Sequence, residues 1–230
     1  DSALAGEWIE KLASGEGLAA FAFEDGNGTS SPDMLAMVAE PSADGFDLNG
    51  EKRLVIAGAQ ADAVIVAARV GAGGPLGLFL VEKGAAGMTA SDFQTIDGRS
   101  AANITFTDAT VSGDAVLSRD AGEALERILS NAIIVLAAEA VGAMEALLRI
   151  SGEYAMTRKQ FGQPIATFQS IAHRLADMKI AYAKALSTLT YTTALANSDA
   201  ARPRDIAILK AQVGKLGRKL GESAVQIHGG

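Results

Sequence analysis

The sequence predicts an α+β multidomain protein: a central antiparallel β-barrel or sandwich domain, then an antiparallel C-terminal helical bundle. Three observations predict it. Residues 18–117 hold many short strand-like apolar runs separated by Gly, Asn, Asp and Pro turn signals. From about residue 118 the apolar residues change to helical spacing. Of the 230 residues 49% are hydrophobic, enough to bury one or two sizeable cores.

The first element, Ala5–Ser14, reads as a helix with Trp8, Ile9 and Leu12 on one stripe and Gly15 and Gly17 ending it. Residues 1–17 cannot fold alone and are expected to close an N-terminal helical domain. Strand candidates follow at Leu35–Ala39, Phe46–Leu48, Arg53–Ala57, Ala63–Ala68, Leu76–Val81 and Asn103–Phe106. Turn signals lie at Asp44-Gly45, Asn49-Gly50, Gly71–Pro75 and Asp97-Gly98, with Asn49-Gly50 reading as a hairpin mark. Residues 118–230 carry three helical stripes. The first is Leu125, Ile128, Leu129, Ala132, Ile133 and Leu136. The second is Ile171, Leu175, Met178, Tyr182, Leu186 and Leu189. The third is Ile206, Leu209, Val213, Leu216 and Leu220, with Pro203 placed for the first turn of its helix. Three long helices with short corners predict an antiparallel bundle with one flank open, which a fourth helix from outside this segment is expected to cover. There is no internal repeat and no low-complexity tract.

Composition excludes several kinds of chemistry. The chain has no cysteine, so disulfides, thiolate metal sites and Cys nucleophiles are ruled out, and a reducing cytoplasm is the expected setting. Two histidines, His173 and His228, cannot build a His-rich metal site. A net charge of −7 argues against nucleic acid as a partner. The most apolar run, Ala132–Leu148, contains Glu139 and Glu145 and reads as a buried helix rather than a membrane span.

The informative chemistry lies at two helix ends. In Tyr154–Gln169 (YAMTRKQFGQPIATFQ) a helix runs into Arg158, then a corner with Phe161, Gly162 and Pro164, then a second helix. Two roles are open to Arg158: a solvated side chain offsetting the helix dipole, or a bidentate ligand for a diphosphate. Phe161 suits either core or the wall against which a cofactor ring lies. The terminal Gln226-Ile227-His228-Gly229-Gly230 reads either as a helix stop or as backbone that lets an anion approach, with Gln226 donating and accepting toward a polar edge. His173 reads as a surface or interhelical residue. His228 reads first as structural and second as a cofactor contact. Asp177, Glu139 and Glu153 have no neighbour that marks them as catalytic and read as solvated or paired charges.

In this order these residues resemble the acyl-CoA dehydrogenase family of flavoenzymes. Tyr154–Gln169 and Val225–Gly230 carry the closest likeness. Leu12–Glu24 (LASGEGLAAFAFE), Gly45–Lys52 (GFDLNGEK), Ala61–Arg69 (ADAVIVAAR) and Leu78–Val81 (LFLV) resemble the family's domain junction and β domain. The resemblance implies a middle β domain at 18–117 and a C-terminal helical domain at 118–230 whose remainder lies beyond Gly230. It implies FAD as cofactor, with Arg158, Phe161, Gln226, Gly229 and Gly230 contacting the adenosine-diphosphate half of an FAD held mainly by a neighbouring subunit. Ile165 and Phe168 match further positions lining that half. It also implies an acyl-CoA substrate, a homo- or hetero-oligomer of similar subunits, and a place in fatty acid or steroid side-chain β-oxidation. The reaction implied is α,β-dehydrogenation, a base taking the α proton of the thioester as hydride leaves Cβ for flavin N5.

The flavin-ring side departs from the pattern. Phe23-Glu24-Asp25 stands where the family has Thr-Glu-Pro, and Gly28-Thr29-Ser30 stands for its Gly-Ser-Asp. Leu54 and Ile56 replace the tryptophan and threonine that follow the NGxK motif, removing an aromatic face and a hydrogen-bond donor from the ring. Most members place the catalytic glutamate beyond the position of Gly230. Others place it on the first helix of the last domain, where this chain has Ala132, so no residue here is assigned as base. The asymmetry suggests a flavin-poor subunit that completes the FAD site of a homologous partner, the arrangement of some heteromeric bacterial members. An acyl-CoA oxidase or flavin-dependent hydroxylase of the same fold is the other reading.

Overall fold

The structure is a computed structural model that describes residues 3–26, 31–198 and 200–230. The polypeptide divides into two compact units, Asp1–Glu126 and Arg127–Gly230.

The first unit begins with α1 (Ala3–Ser14), which turns off at Gly15, where φ is +78°. Only Trp8 of the expected stripe is buried; its Nε1 donates to Glu82 at 3.1 Å, while Ile9 and Leu12 stay exposed. Eight strands follow in one sheet: β1 (Ala19–Ala22), β2 (Val38–Ser42), β3 (Gly45–Ile56), β4 (Ala63–Val70), β5 (Leu76–Glu82), β6 (Met88–Gln94), β7 (Ser100–Ser112) and β8 (Val116–Ser118). They lie in the order β6-β7-β3-β2-β4-β5-β8, with β1 also on β4. Most neighbours are antiparallel. The exceptions are at β4, which β1 and β2 both join in parallel register. The core is the sheet's alternating inward face, with Phe46, Leu48, Phe79, Ile104 and Phe106 at its centre.

Two expectations are corrected here. Asn49-Gly50 is not a hairpin: β3 runs through it as one long strand that absorbs the separate candidates at 46–48 and 53–57. Asn49 is used across the sheet instead, exchanging bonds with Asp108 (Oδ1 accepts the Asp108 N–H at 2.8 Å), and the register shifts there. The hairpin is at Ala43-Asp44, between Ser42 and Gly45. The candidate at 35–39 also begins too early: Pro32–Met34 forms a 3-10 turn and the strand starts at Val38.

The second unit is helical. Its long helices are α2 (Gly122–Thr157, whose first turn belongs to the first unit), α3 (Gln169–Asn197) and α4 (Pro203–His228). Between α2 and α3 lie two short strands, β9 (Lys159–Gln160) and β10 (Gln163–Pro164). Pro203 opens α4, and the Asp205 carboxylate accepts the Arg202 N–H at 3.0 Å. The α4 stripe is buried as expected at Ile206, Leu209, Val213 and Leu220. On α2 the buried stripe is Ala137, Val141, Met144 and Ala155, whereas Ile128, Val135 and Leu136 are exposed. Among the described residues no helix is long and apolar enough to cross a membrane.

Candidate functional site

The corner after α2 is built by hydrogen bonds that leave its tip bare. The Thr157 hydroxyl donates to the Glu153 and Tyr154 carbonyls, and the Arg158 N–H donates to the Tyr154 carbonyl at 2.8 Å, so the helix is capped through Arg158. The chain then turns back on itself, with Gln160 opposite Gln163 and Lys159 opposite Pro164. The Ile165 N–H closes the turn on the Arg158 carbonyl at 2.8 Å. The two residues at the tip, Phe161 and Gly162, both have positive φ, +53° and +79°. That is the backbone of a two-residue hairpin turn which favours Asn-Gly.

Phe161 is therefore out of place by two criteria. A bulky residue in the left-handed region costs about 1–2 kcal/mol, and its ring is 92% exposed. Among the described residues its one aromatic neighbour is Phe168, edge-on at 6.2 Å. Phe168 and Ile165 are half-buried, and Ile165 packs on the helical core. The Arg158 side chain is exposed, and among the described residues its guanidinium has no hydrogen-bond or ion-pair partner.

At the end of α4, Gly229 (φ +111°) and Gly230 (φ +93°) take left-handed conformations, and both N–H groups donate to the Val225 carbonyl. Those two donors are thus engaged in stopping the helix. What the glycines offer a ligand is bare backbone, since a Cβ at either would meet nothing within 4 Å. Gln226 is exposed beside them. The structure brings the two helix ends together through the rings of Tyr154 and His228, stacked at 4.3 Å and 27°. His228 thereby has a ring contact within its own unit. His173 lies exposed on α3; Glu153 pairs with Arg149, and Asp177 lies 4.0 Å from Lys219.

In the first unit the departing segment has an organisation the sequence did not reveal. Lys52 is wholly buried. Its ammonium donates to the Phe23 carbonyl at 3.0 Å and pairs with the Asp25 carboxylate, whose other oxygen accepts the Ala36 and Met37 N–H groups. Burial pushes the Lys52 ammonium below its ordinary 10.5, against the opposing pull of Asp25. Burial pushes the neighbouring Glu24 carboxyl up, and Asp25 adds to the rise. Asp25, standing where the resemblance has proline, thus holds residues 23–25 against 36–37 and β3. Leu54 is left-handed (φ +51°) at a register shift and 52% exposed, and Ile56 is also exposed. Gly28, Thr29 and Ser30 lie outside the described residues. A spacing-based reading had no signal for this pair, because a lysine followed by an arginine reads as surface. Among the described residues no cluster of His, Asp and Glu could hold a metal ion.

Known proteins resemble the chain along its whole length. Residues 122–230 match the family described as acyl-CoA dehydrogenase, C-terminal domain. A short-chain specific acyl-CoA dehydrogenase of Megasphaera elsdenii is 31% identical over 97% of this chain and 61% of its own length. The solved structure of butyryl-CoA dehydrogenase from Megasphaera elsdenii superposes with a TM-score of 0.87 at 29% identity, covering 97% of this chain and 61% of that one. A solved structure of PigA with FAD and proline superposes with a TM-score of 0.91 at 27% identity, covering all of this chain and 62% of that one. The chain thus spans about three-fifths of the relatives it matches.

Proposed function

The chain belongs to the acyl-CoA dehydrogenase family, and on that premise we propose that it is part of an FAD-dependent enzyme that dehydrogenates a CoA thioester at Cα–Cβ within an oligomer. One observation carries the reading: an exposed Arg158, without a partner among the described residues, beside a strained and exposed Phe161, at the end of the unit where the bare backbone of Gly229-Gly230 also lies. The chemistry of this donor set fits the diphosphate half of a dinucleotide. A guanidinium binds phosphate oxygens in pairs, an apolar ring covers a flat face, and glycine removes the side chains that would fend off a bulky anion. Arg158, Phe161, Ile165, Phe168, Gln226, Gly229 and Gly230 would hold that half. When bound, FAD supplies the acceptor for the hydride.

Arg158→Ala tests the reading. Loss of a charge-assisted bond pair is expected to weaken FAD binding roughly 10- to 100-fold, measured by flavin fluorescence titration of the apoprotein. Wild-type affinity in that variant would remove the basis of the proposal. Turnover of acyl-CoA thioesters with an artificial electron acceptor, compared with oxygen consumption, separates a dehydrogenase from an oxidase or hydroxylase.

A second reading has its own observation. Where the resemblance has a tryptophan and a threonine for the flavin ring, this chain presents the exposed Leu54 and Ile56, the first in a left-handed backbone. On this reading the chain completes the FAD site of a homologous partner and binds little flavin by itself. Expression alone is then expected to give a nearly colourless protein, and coexpression with the homologue a yellow complex. Stoichiometric flavin in the protein expressed alone would exclude this reading.

A further inference from the structure

The two halves of the candidate site meet at one ring pair. Tyr154 sits one helical turn before Arg158, on the same face of the helix, and its carbonyl accepts the Arg158 N–H at 2.8 Å. His228 immediately precedes Gly229. The rings of Tyr154 and His228 stack with centroids 4.3 Å apart. Among the described residues no hydrogen bond or ion pair ties 154–168 to 225–230. Beyond the stack, these ends are joined by packing in the core: Ala155, Ile227 and Ala224 are buried there, and Tyr154 and Ile165 lie half-buried against it.

These two attachments do different jobs. Buried Ala155 and Ile227 keep the helices together, but their small and aliphatic side chains set no ring-to-ring geometry. The stacked pair at the helix ends adds one, since aromatic rings favour particular separations and offsets. The stack lies one helical turn before Arg158 and next to Gly229, so a displacement there carries over to the guanidinium and the bare backbone. His228 is exposed, so its ring adds little to the core.

We infer that Tyr154 and His228 are positioning residues that fix the separation of Arg158 from Gly229-Gly230, and so set affinity for a nucleotide diphosphate. This rests on the reading of Arg158 as a diphosphate ligand, and the test distinguishes the two. His228→Ala and Tyr154→Ala are expected to weaken FAD binding about 3- to 10-fold, the range for one lost ring pair, measured by fluorescence titration of protein stripped of flavin. The double variant is expected to be no weaker than either single one, because both remove the same interaction. His228→Phe and Tyr154→Phe keep the overlap and are expected to restore wild-type affinity. A purely structural role would instead lower the melting temperature and leave the dissociation constant of the folded protein unchanged. Additive losses in the double variant, or no rescue by His228→Phe, overturn the inference. Should Tyr154→Ala fail to fold, the exposed His228→Ala and its phenylalanine rescue decide the matter. Arg158→Ala run in parallel separates the failures: if it weakens binding and His228→Ala does not, the positioning role falls and the site stands. If neither weakens binding, the site itself falls.

Discussion

Two regions of this protein handle energetically costly groups in opposite ways. At the end of the helical unit, Arg158 has no partner among the described residues and Phe161 is 92% exposed on a left-handed backbone. In the β unit, Lys52 and Asp25 are drawn into the interior, where they pair with each other and bond the Phe23 carbonyl and the Ala36 and Met37 N–H groups. The first arrangement leaves strain and apolar surface without return inside the chain, which is the mark of a contact made to something else. The second spends a buried ion pair on holding a loop, which is work done for the chain itself. The contrast teaches where to look for ligand contacts: at the costs that the fold leaves open rather than at the charges it has already paired.

The comparison breaks most readily at Asp25. Asp25→Ala leaves a buried ammonium without its counter-charge and leaves the Ala36 and Met37 N–H groups without an acceptor. A loss of about 3–5 kcal/mol in unfolding free energy is expected, measured by urea denaturation. Lys52→Met removes the buried charge and leaves Asp25 its two N–H donors, so its loss is expected to be smaller. Equal stability of Asp25→Ala and wild type would show that the pair does not pin residues 23–25 at all.

Phe161 sharpens the comparison from the other side. Asparagine tolerates the left-handed region and suits the first position of this turn. Little burial is lost with a ring so exposed, its edge contact with Phe168 apart. Phe161→Asn is therefore expected to raise stability by about 0.5–1 kcal/mol while weakening FAD binding, read by urea denaturation and flavin titration on one preparation. A variant that is less stable and binds FAD normally would make Phe161 a structural residue and erase the contrast.

How much of this was legible in the sequence follows from the range of the interactions. The helix–corner–helix at Arg158, the α4 stripe from Ile206 to Leu220 and the turns at Asp44-Gly45 and Asp97-Gly98 are local patterns, and the structure forms them where the sequence places them. Asn49-Gly50 misled because its partner, Asp108, is 59 residues away in sequence, and pairing across the sheet overrode a local turn preference. The first α2 stripe misled in part: Leu125 is buried, but Ile128 and Leu136 are exposed, and the helical core takes Ala137, Val141 and Met144 instead. Lys52 was illegible for a similar reason: Asp25 lies 27 residues away, and nothing in the local composition marks either residue as interior. The left-handed backbone at Phe161 left no trace in a sequence that names a phenylalanine where the turn favours asparagine.

The smallest effect is expected at Glu24, which lies beside the pair without sharing in it. Burial and the Asp25 charge raise its carboxyl above the ordinary 4.5, with Lys52 opposing. A carboxyl raised on folding binds more protons in the folded than in the unfolded state between those two values. Its ionised form therefore costs stability at neutral pH, and the cost disappears as pH falls below 4.5. Glu24→Gln removes the charge and keeps the shape. It is expected to stabilise the protein at pH 7 by less than about 0.5 kcal/mol, and to match wild type once the pH is below 4.5. Melting curves across that range check the sign. A variant less stable than wild type at pH 7 would mean that the Glu24 carboxylate is used by the fold, and would place it with Asp25 on the paired side of the comparison.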